Sequence, residues 1–184
     1  MKESDQRIIQ RVRQGEMQAY ALLVDRYKDR VFSLALGIVR SREVAEELAQ
    51  DVFVKAYNAL HKFREEASFA TWIYRIAYNT AISETRKRKI TFVALDDNHS
   101  VLLGVNETDN SLKEDEVLRL KNAISALNHD EQTIIQLYYL EEKSVEEVSL
   151  CLSLSQANVK VKLFRLRAKL KKMLEKSPTP LIVG

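Results

Sequence analysis

The sequence predicts an all-α protein built as two small helical domains. Three observations carry that expectation. Only four Gly and two Pro occur in 184 residues, too little turn chemistry for many short strands. Leu, Glu, Lys, Arg and Ala dominate, and these are strong helix formers. Apolar residues recur at helical spacing on both sides of one long stretch that lacks the pattern. A hydrophobic content of 46% is enough for real cores.

Taken in order, residues 5–14 predict a short helix closed by Gly15, and Glu16 to about Val39 a long amphipathic one. The segment 41–60, "SREVAEELAQDVFVKAYNAL", predicts a third, with Ser41 as its N-cap. After "HKFREEA", Ser68 can cap a fourth helix running to about Arg88. The stretch 90–111 lacks sustained periodicity and carries Asp96, Asp97, Glu107 and Asp109. At about 22 residues it is long for a loop inside a compact domain and reads as an acidic linker. The sequence also admits a short strand at 90–95. Helical pattern resumes over 113–127, 130–140, 144–151 and 155–175, and Ser144 to Glu147 fits a capping box. Pro178 and Pro180 stop the last helix. The expected organisation is a helical domain at 1–89, a linker at 90–111, a second helical domain at 112–176 and a tail at 177–184.

Net charge is only +3, but the charge is segregated. Residues 86–89, "RKRK", and 160–172 are basic, whereas 43–51 and 96–116 are acidic. Such segregation suggests one surface for nucleic acid and another for a different partner. The lone Cys151 excludes an intramolecular disulfide and suits a reducing compartment. No N-terminal stretch resembles a signal peptide, and the apolar run 31–39 is too short to span a bilayer. A soluble, cytoplasmic protein is expected. His61, His99 and His129 lack metal-ligand spacing, and no Gly-rich phosphate loop is present. No enzyme activity, cofactor or metal is therefore expected.

The last two helices read as a helix-turn-helix, whose second helix enters the major groove. Val148, Leu152, Leu154, Val159 and Leu163 would knit the pair. At about 100° per residue, Val159, Leu163, Leu166, Leu170 and Met173 form one core stripe. Lys160, Phe164, Arg167 and Lys171 lie on a neighbouring line, with Ala157, Val161 and Arg165 beyond. Phe164 thus falls among cations, where it could meet a thymine methyl while Lys and Arg meet phosphates or base edges.

The first domain offers two further faces. On helix 41–60, Val44, Ala45, Leu48, Ala49, Val52, Ala56 and Leu60 face inward. Glu43, Glu46, Glu47, Gln50, Asp51, Val54 and Asn58 face outward, as a docking surface for a basic protein would. On helix 68–88, Phe69, Ile73, Ile76 and Thr80 make a core stripe, and Trp72, Arg75, Asn79, Ile82 and Arg86 adjoin it. Tyr74 and Tyr78 are expected near the surface, where aromatics can stack on unpaired bases and cations hold phosphates.

Read together, "GEMQAYALLVDRYKDRVFSLALGIVRSREVAEELAQDVFVKAYNAL", "FREEASFATWIYRIAYNTAI" and "ALNHDEQTIIQLYYLEEKSVEEVSLCLSLSQANVKVKLFRLRAKL" resemble a bacterial RNA polymerase sigma factor of the extracytoplasmic-function (group 4) type, in the sigma-70 family. The likeness spans nearly the whole chain. It implies a sigma region 2-like bundle and a region 4-like helix-turn-helix. It implies a function in promoter-specific initiation with core polymerase, whose β′ clamp helices would meet Glu47, Asp51, Phe53, Val54, Lys55 and Asn58. Arg64, Ser68, Trp72, Arg75, Tyr78, Asn79 and Arg86 would hold the melted −10 element, with a flipped base against the loop "FREEASF". Ala157, Asn158, Lys160, Val161, Phe164, Arg165 and Arg167 would read the −35 element. The polymerase β flap and an anti-sigma factor are further partners of the resembling family. Glu65 stands where the loop commonly has Gly, Asn128 where Pro is common, Ser153 where a turn Gly is frequent, and Ser149 where a small Ala packs between helices. The competing reading is a conventional helix-turn-helix regulator that binds a palindrome as a dimer without polymerase.

Overall fold

The computed structural model describes residues 3–95 and 112–176, and every regular element among them is helical. The helices are α1 (Asp5–Arg13), α2 (Tyr20–Val39), α3 (Arg42–Ala59), α4 (Phe69–Leu95), α5 (Leu112–Ser125), α6 (His129–Ile135), α7 (Val145–Leu152) and α8 (Gln156–Lys176). A 3₁₀ turn at Met17–Ala19 leads into α2, so the long helix starts later than the sequence suggests. A second 3₁₀ turn, Leu60–Lys62, ends α3, and a π-helical turn, Gln136–Leu140, ends α6. Most of the expected linker, residues 96–111, and the tail at 177–184 lie outside the described residues.

Local chemistry accounts for most of these boundaries. Ser4 caps α1 by accepting the Arg7 amide, and Gly15, at φ 99°, turns the chain out of it. Ser41 sits at the N-cap of α3 in extended backbone, yet its side chain makes no capping bond. Ser68 does cap α4: its Oγ accepts the Thr71 amide at 3.2 Å. The strand admitted at 90–95 does not form, because α4 continues through Leu95. Extending an existing helix fixes one residue for each new hydrogen bond, which overrides the β preference of Ile, Thr, Phe and Val there.

In the first half, α2, α3 and α4 pack against one another, and α1 lies on α2. Leu23, Val31, Leu34, Ile38, Val52 and Ile73 fill the centre. In the second half, α6, α7 and α8 enclose Leu127, Ile134, Leu137, Val148, Val159 and Leu166, and α5 packs on α8. The two halves also meet directly. α7 lies on α4, α6 lies on α2, and the buried apolar residues form one continuous cluster through the contact.

That contact corrects the expectation for Tyr74. Its ring is 1% exposed, buried under the second half rather than at the surface. Full burial of such a ring is worth about 1.5–3 kcal/mol, provided its hydroxyl finds a partner.

Ser153 closes α7 in the left-handed conformation, φ 55° and ψ 41°, so Ser accepts the geometry usually given to Gly. The backbone pays for this in strain that a glycine would not carry. Ser153→Gly should raise the unfolding free energy by about 0.5–1 kcal/mol, and Ser153→Val should lower it by about 1–2 kcal/mol, in denaturant titrations. Equal stability of the two variants would contradict this turn geometry.

Candidate nucleic-acid interface

The inner stripe of α8 is where the pattern places it. Val159, Leu163 and Leu166 are buried, and Leu170 and Met173 pack partly against them. The outer face carries Ala157, Asn158, Lys160, Val161, Phe164 and Arg165, all exposed. Phe164 is 73% exposed, an unusual state for a large aromatic ring. Lys160 and Arg165 have no acidic partner among the described residues. Arg167 differs: its Nε donates to the Tyr139 hydroxyl at 2.6 Å, and its guanidinium lies over the Tyr138 and Tyr139 rings. The structure therefore brings six of the seven proposed −35 residues together on an open face and ties the seventh to its own fold.

α8 is anchored through a capping box that the sequence reading missed. Asn128 Oδ1 accepts the Glu131 amide at 2.9 Å, and Glu131 Oε2 accepts the Asn128 amide at 3.1 Å. The same Oε2 takes a 2.7 Å bond from Lys169 of α8. Partial burial opposes the charged form of Glu131, but Lys169 and the Asn128 amide outweigh it and hold the carboxyl below its usual range. The Asn-x-x-Glu spacing at 128–131 is the sequence signal for this box.

On α3, Glu43, Glu46, Glu47, Gln50, Asp51 and Asn58 are exposed, and Val54 stands 59% exposed among them. Lys55 is also exposed and reaches Thr80 Oγ1 at 3.4 Å. Phe53 is elsewhere. It is 7% exposed in the core, and its carbonyl accepts the Tyr20 hydroxyl at 2.7 Å. It can support the outward face but is not on it.

The residues expected to hold −10 DNA divide into two groups. Arg64, Arg75, Asn79 and Arg86 are exposed. Trp72 is half-buried, with its ring 4.9 Å from Phe63 and 5.6 Å from Phe69. Ser68 and Tyr78 are engaged by the second half. Tyr78 donates to Asp130 Oδ1 at 2.8 Å, and Ser68 Oγ lies 3.3 Å from Glu147 Oε1.

These two contacts belong to a row. Thr71, Tyr74 and Tyr78 fall on one face of α4 at helical spacing, and each hydroxyl donates to a carboxylate of the second half. Thr71 donates to Glu147 at 2.8 Å, Tyr74 to Glu141 at 2.7 Å and Tyr78 to Asp130 at 2.8 Å. Arg30 of α2 pairs with the same Glu141 at 3.3 Å, and Arg40 donates to the Leu127 carbonyl at 2.8 Å. The buried Cys151 Sγ donates to the Thr71 carbonyl at 3.3 Å. Burial pushes that thiol up to about 12, as befits a core filler rather than a nucleophile.

Comparison with known proteins bears on these faces. Residues 23–90 match the family model for Sigma-70 region 2, and residues 118–170 match that for Sigma-70, region 4. The chain is similar to the ECF RNA polymerase sigma-E factor of Haemophilus influenzae, at 32% identity over 97% of both chains. It is 33% identical to the ECF RNA polymerase sigma factor SigW of Bacillus subtilis, over 90% of this chain and 94% of that one. It is 29% identical to the RNA polymerase sigma-H factor of Pseudomonas aeruginosa, over 95% of each. The fold is similar to the sigma factor RpoE of Bartonella quintana, solved with the anti-sigma factor NepR (TM-score 0.72, 20% identity, 86% of this chain and 98% of that one). It is also similar to CnrH, solved with the cytosolic domain of CnrY (TM-score 0.68, 21% identity, 96% and 100%).

Glu147 is the most strongly perturbed carboxyl at the contact. Partial burial opposes its charge. The Ser144 amide, the Thr71 hydroxyl and Lys143 outweigh that, and hold its pKa at about 2 against an ordinary 4.5. A depressed carboxyl pKa contributes stability above the unfolded value, and that contribution is lost as pH falls through 4.5 towards 2. Thr71→Val removes one donor to the charged form. It should raise the Glu147 pKa measurably in a carboxyl-detected NMR titration, and an unmoved titration would contradict the contact.

Proposed function

The chain belongs to the extracytoplasmic-function group of sigma-70 family RNA polymerase sigma factors, and we propose that its two helical domains divide promoter recognition between three separate faces. As a sigma factor it directs promoter-specific initiation by core RNA polymerase and is not itself an enzyme. No described helix is long and apolar enough to cross a membrane. The cytoplasm, where transcription takes place, is the proposed compartment.

Residues 112–176 carry duplex recognition. The outward face of α8, with Lys160, Arg165 and the exposed Phe164, takes the −35 element, cations meeting phosphates and base edges while the ring meets apolar edges in the groove. This open cationic face on a helix whose opposite stripe is buried is the observation that carries the reading. Residues 1–89 carry the other two faces. Glu47, Asp51, Val54, Lys55 and Asn58 on α3 meet the polymerase clamp, with an acidic rim around one apolar contact. Trp72, Arg75, Asn79 and Arg86 on α4, with the preceding loop, hold unpaired −10 bases by stacking and phosphate contact.

The compact arrangement fits the polymerase-free chain. There the acidic groups of the second domain occupy the α4 hydroxyls, as phosphates or bases would. Engaging both elements at once requires α7 to leave α4, and polymerase supplies that by binding the separated form better. Once both domains sit on the same enzyme, each raises the effective concentration of the other at the promoter.

Lys160→Ala with Arg165→Ala should weaken holoenzyme binding to −35 duplex about tenfold or more and reduce the salt slope by about two, leaving binding to core polymerase intact. Parallel loss of both activities would contradict separate faces. Asp51→Arg should reduce co-purification with core polymerase. Undiminished recovery would remove α3 from the polymerase interface.

A further inference from the structure

The loop between α3 and α4 holds an unexplained strain. Glu65 has φ 61°, left-handed backbone that an L side chain rarely adopts and that glycine adopts freely. Something outside the loop must hold it there. The neighbouring side chains identify Arg13, the last residue of α1. Its Nη1 reaches Glu65 Oε1 at 3.1 Å, and its Nη2 donates to the carbonyls of Leu60, at 3.2 Å, and of Phe63. One planar fork thus ties the first residue of the 3₁₀ turn, the start of the loop and the strained residue to a helix fifty positions earlier in the chain.

The shape held in this way is a cleft. Between the first turn of α1 and the loop lies a space of about 210 Å³, lined by Ser4, Asp5, Gln6, Phe63, Glu65 and Ser68 among others, with the Asp5 carboxylate already held by Arg26 and Tyr27. Its lining mixes the aromatic residues Phe63 and Phe69 with hydrogen-bonding groups, and flipped bases are read by such apolar contact and edge hydrogen bonds.

We propose that Arg13 is a positioning residue for promoter opening: it sets the 63–68 loop in the conformation that accepts an unpaired −10 base, in place of the glycine that would otherwise permit it. The role rests on the assignment of α4 and this loop to −10 DNA. Arg13 need not touch the DNA. It acts through Glu65 and the two carbonyls, so its loss should be relieved by making the backbone permissive.

The test uses holoenzyme assembled from the full chain and core polymerase. The probe is a fluorescent single-stranded oligonucleotide bearing the non-template −10 sequence of a promoter mapped with wild-type holoenzyme. Arg13→Ala should weaken binding of this probe about tenfold, while core binding and −35 duplex binding stay unchanged. Measured against Glu65→Gly alone, adding Arg13→Ala should cost little, so most of the roughly tenfold penalty seen in the Glu65 background should disappear. The comparison within the Glu65→Gly background decides the matter even if Arg13→Ala alone folds poorly. An equal penalty for Arg13→Ala in both backgrounds, no penalty in either, or a loss shared with core binding would each overturn the proposal. Failure of wild-type holoenzyme to bind the probe would instead strike the −10 assignment, and the inference with it.

Discussion

One carboxylate organises the contact between the two halves of this molecule. Glu147 Oε2 accepts the Ser144 amide and completes the capping box that starts α7. Its other oxygen accepts Thr71 of α4 at 2.8 Å and Lys143 at 3.1 Å. The same group therefore starts the first helix of the helix-turn-helix and fixes where that helix lies on α4. A partly buried charge is tolerable only when it is this fully satisfied, so the cap and the contact stabilise each other. Glu131 repeats the device, capping α6 and reaching Lys169 of α8.

The arrangement has a consequence for mechanism. The α4 hydroxyls at 71, 74 and 78 are occupied by acids, whereas the cationic face of α8 and the acidic face of α3 stay open. The free chain thus keeps the α8 and α3 faces accessible while α4, proposed to hold unpaired −10 bases, is still covered. Separating the halves uncovers Tyr74 and Cys151, both buried now, and breaks several charge-assisted hydrogen bonds. Only a partner that prefers the open form, by more than that cost, can populate it.

Much of the fold was legible because helix periodicity is a local property. The stripes on α3 and α8, the exposure of Phe164 and Val54, and the capping box at Ser144 all followed from spacing. What escaped was tertiary. Nothing local says that Glu147 has a second oxygen to spend on α4, or that Tyr74 will lie under another domain. A signal was present all the same: Thr71, Tyr74 and Tyr78 make a polar-tipped stripe on one helix face, and buried hydroxyls need partners. Ser153 and Glu65 both take the left-handed backbone that favours glycine, and they differ in support. Ser153 closes α7 with its own amide bonded to Ser149, whereas Glu65 depends on an arginine remote in sequence.

The most direct measurement is the distance between spin labels on exposed sites of the two domains, Ala21 on α2 and Ala168 on α8, with and without core polymerase. The account predicts one narrow, short distribution for the free chain and a distinctly longer one in the holoenzyme. An identical distribution in both states would show that the domains meet promoter DNA without separating, and would contradict the exchange of Glu147, Glu141 and Asp130 for nucleic acid on α4.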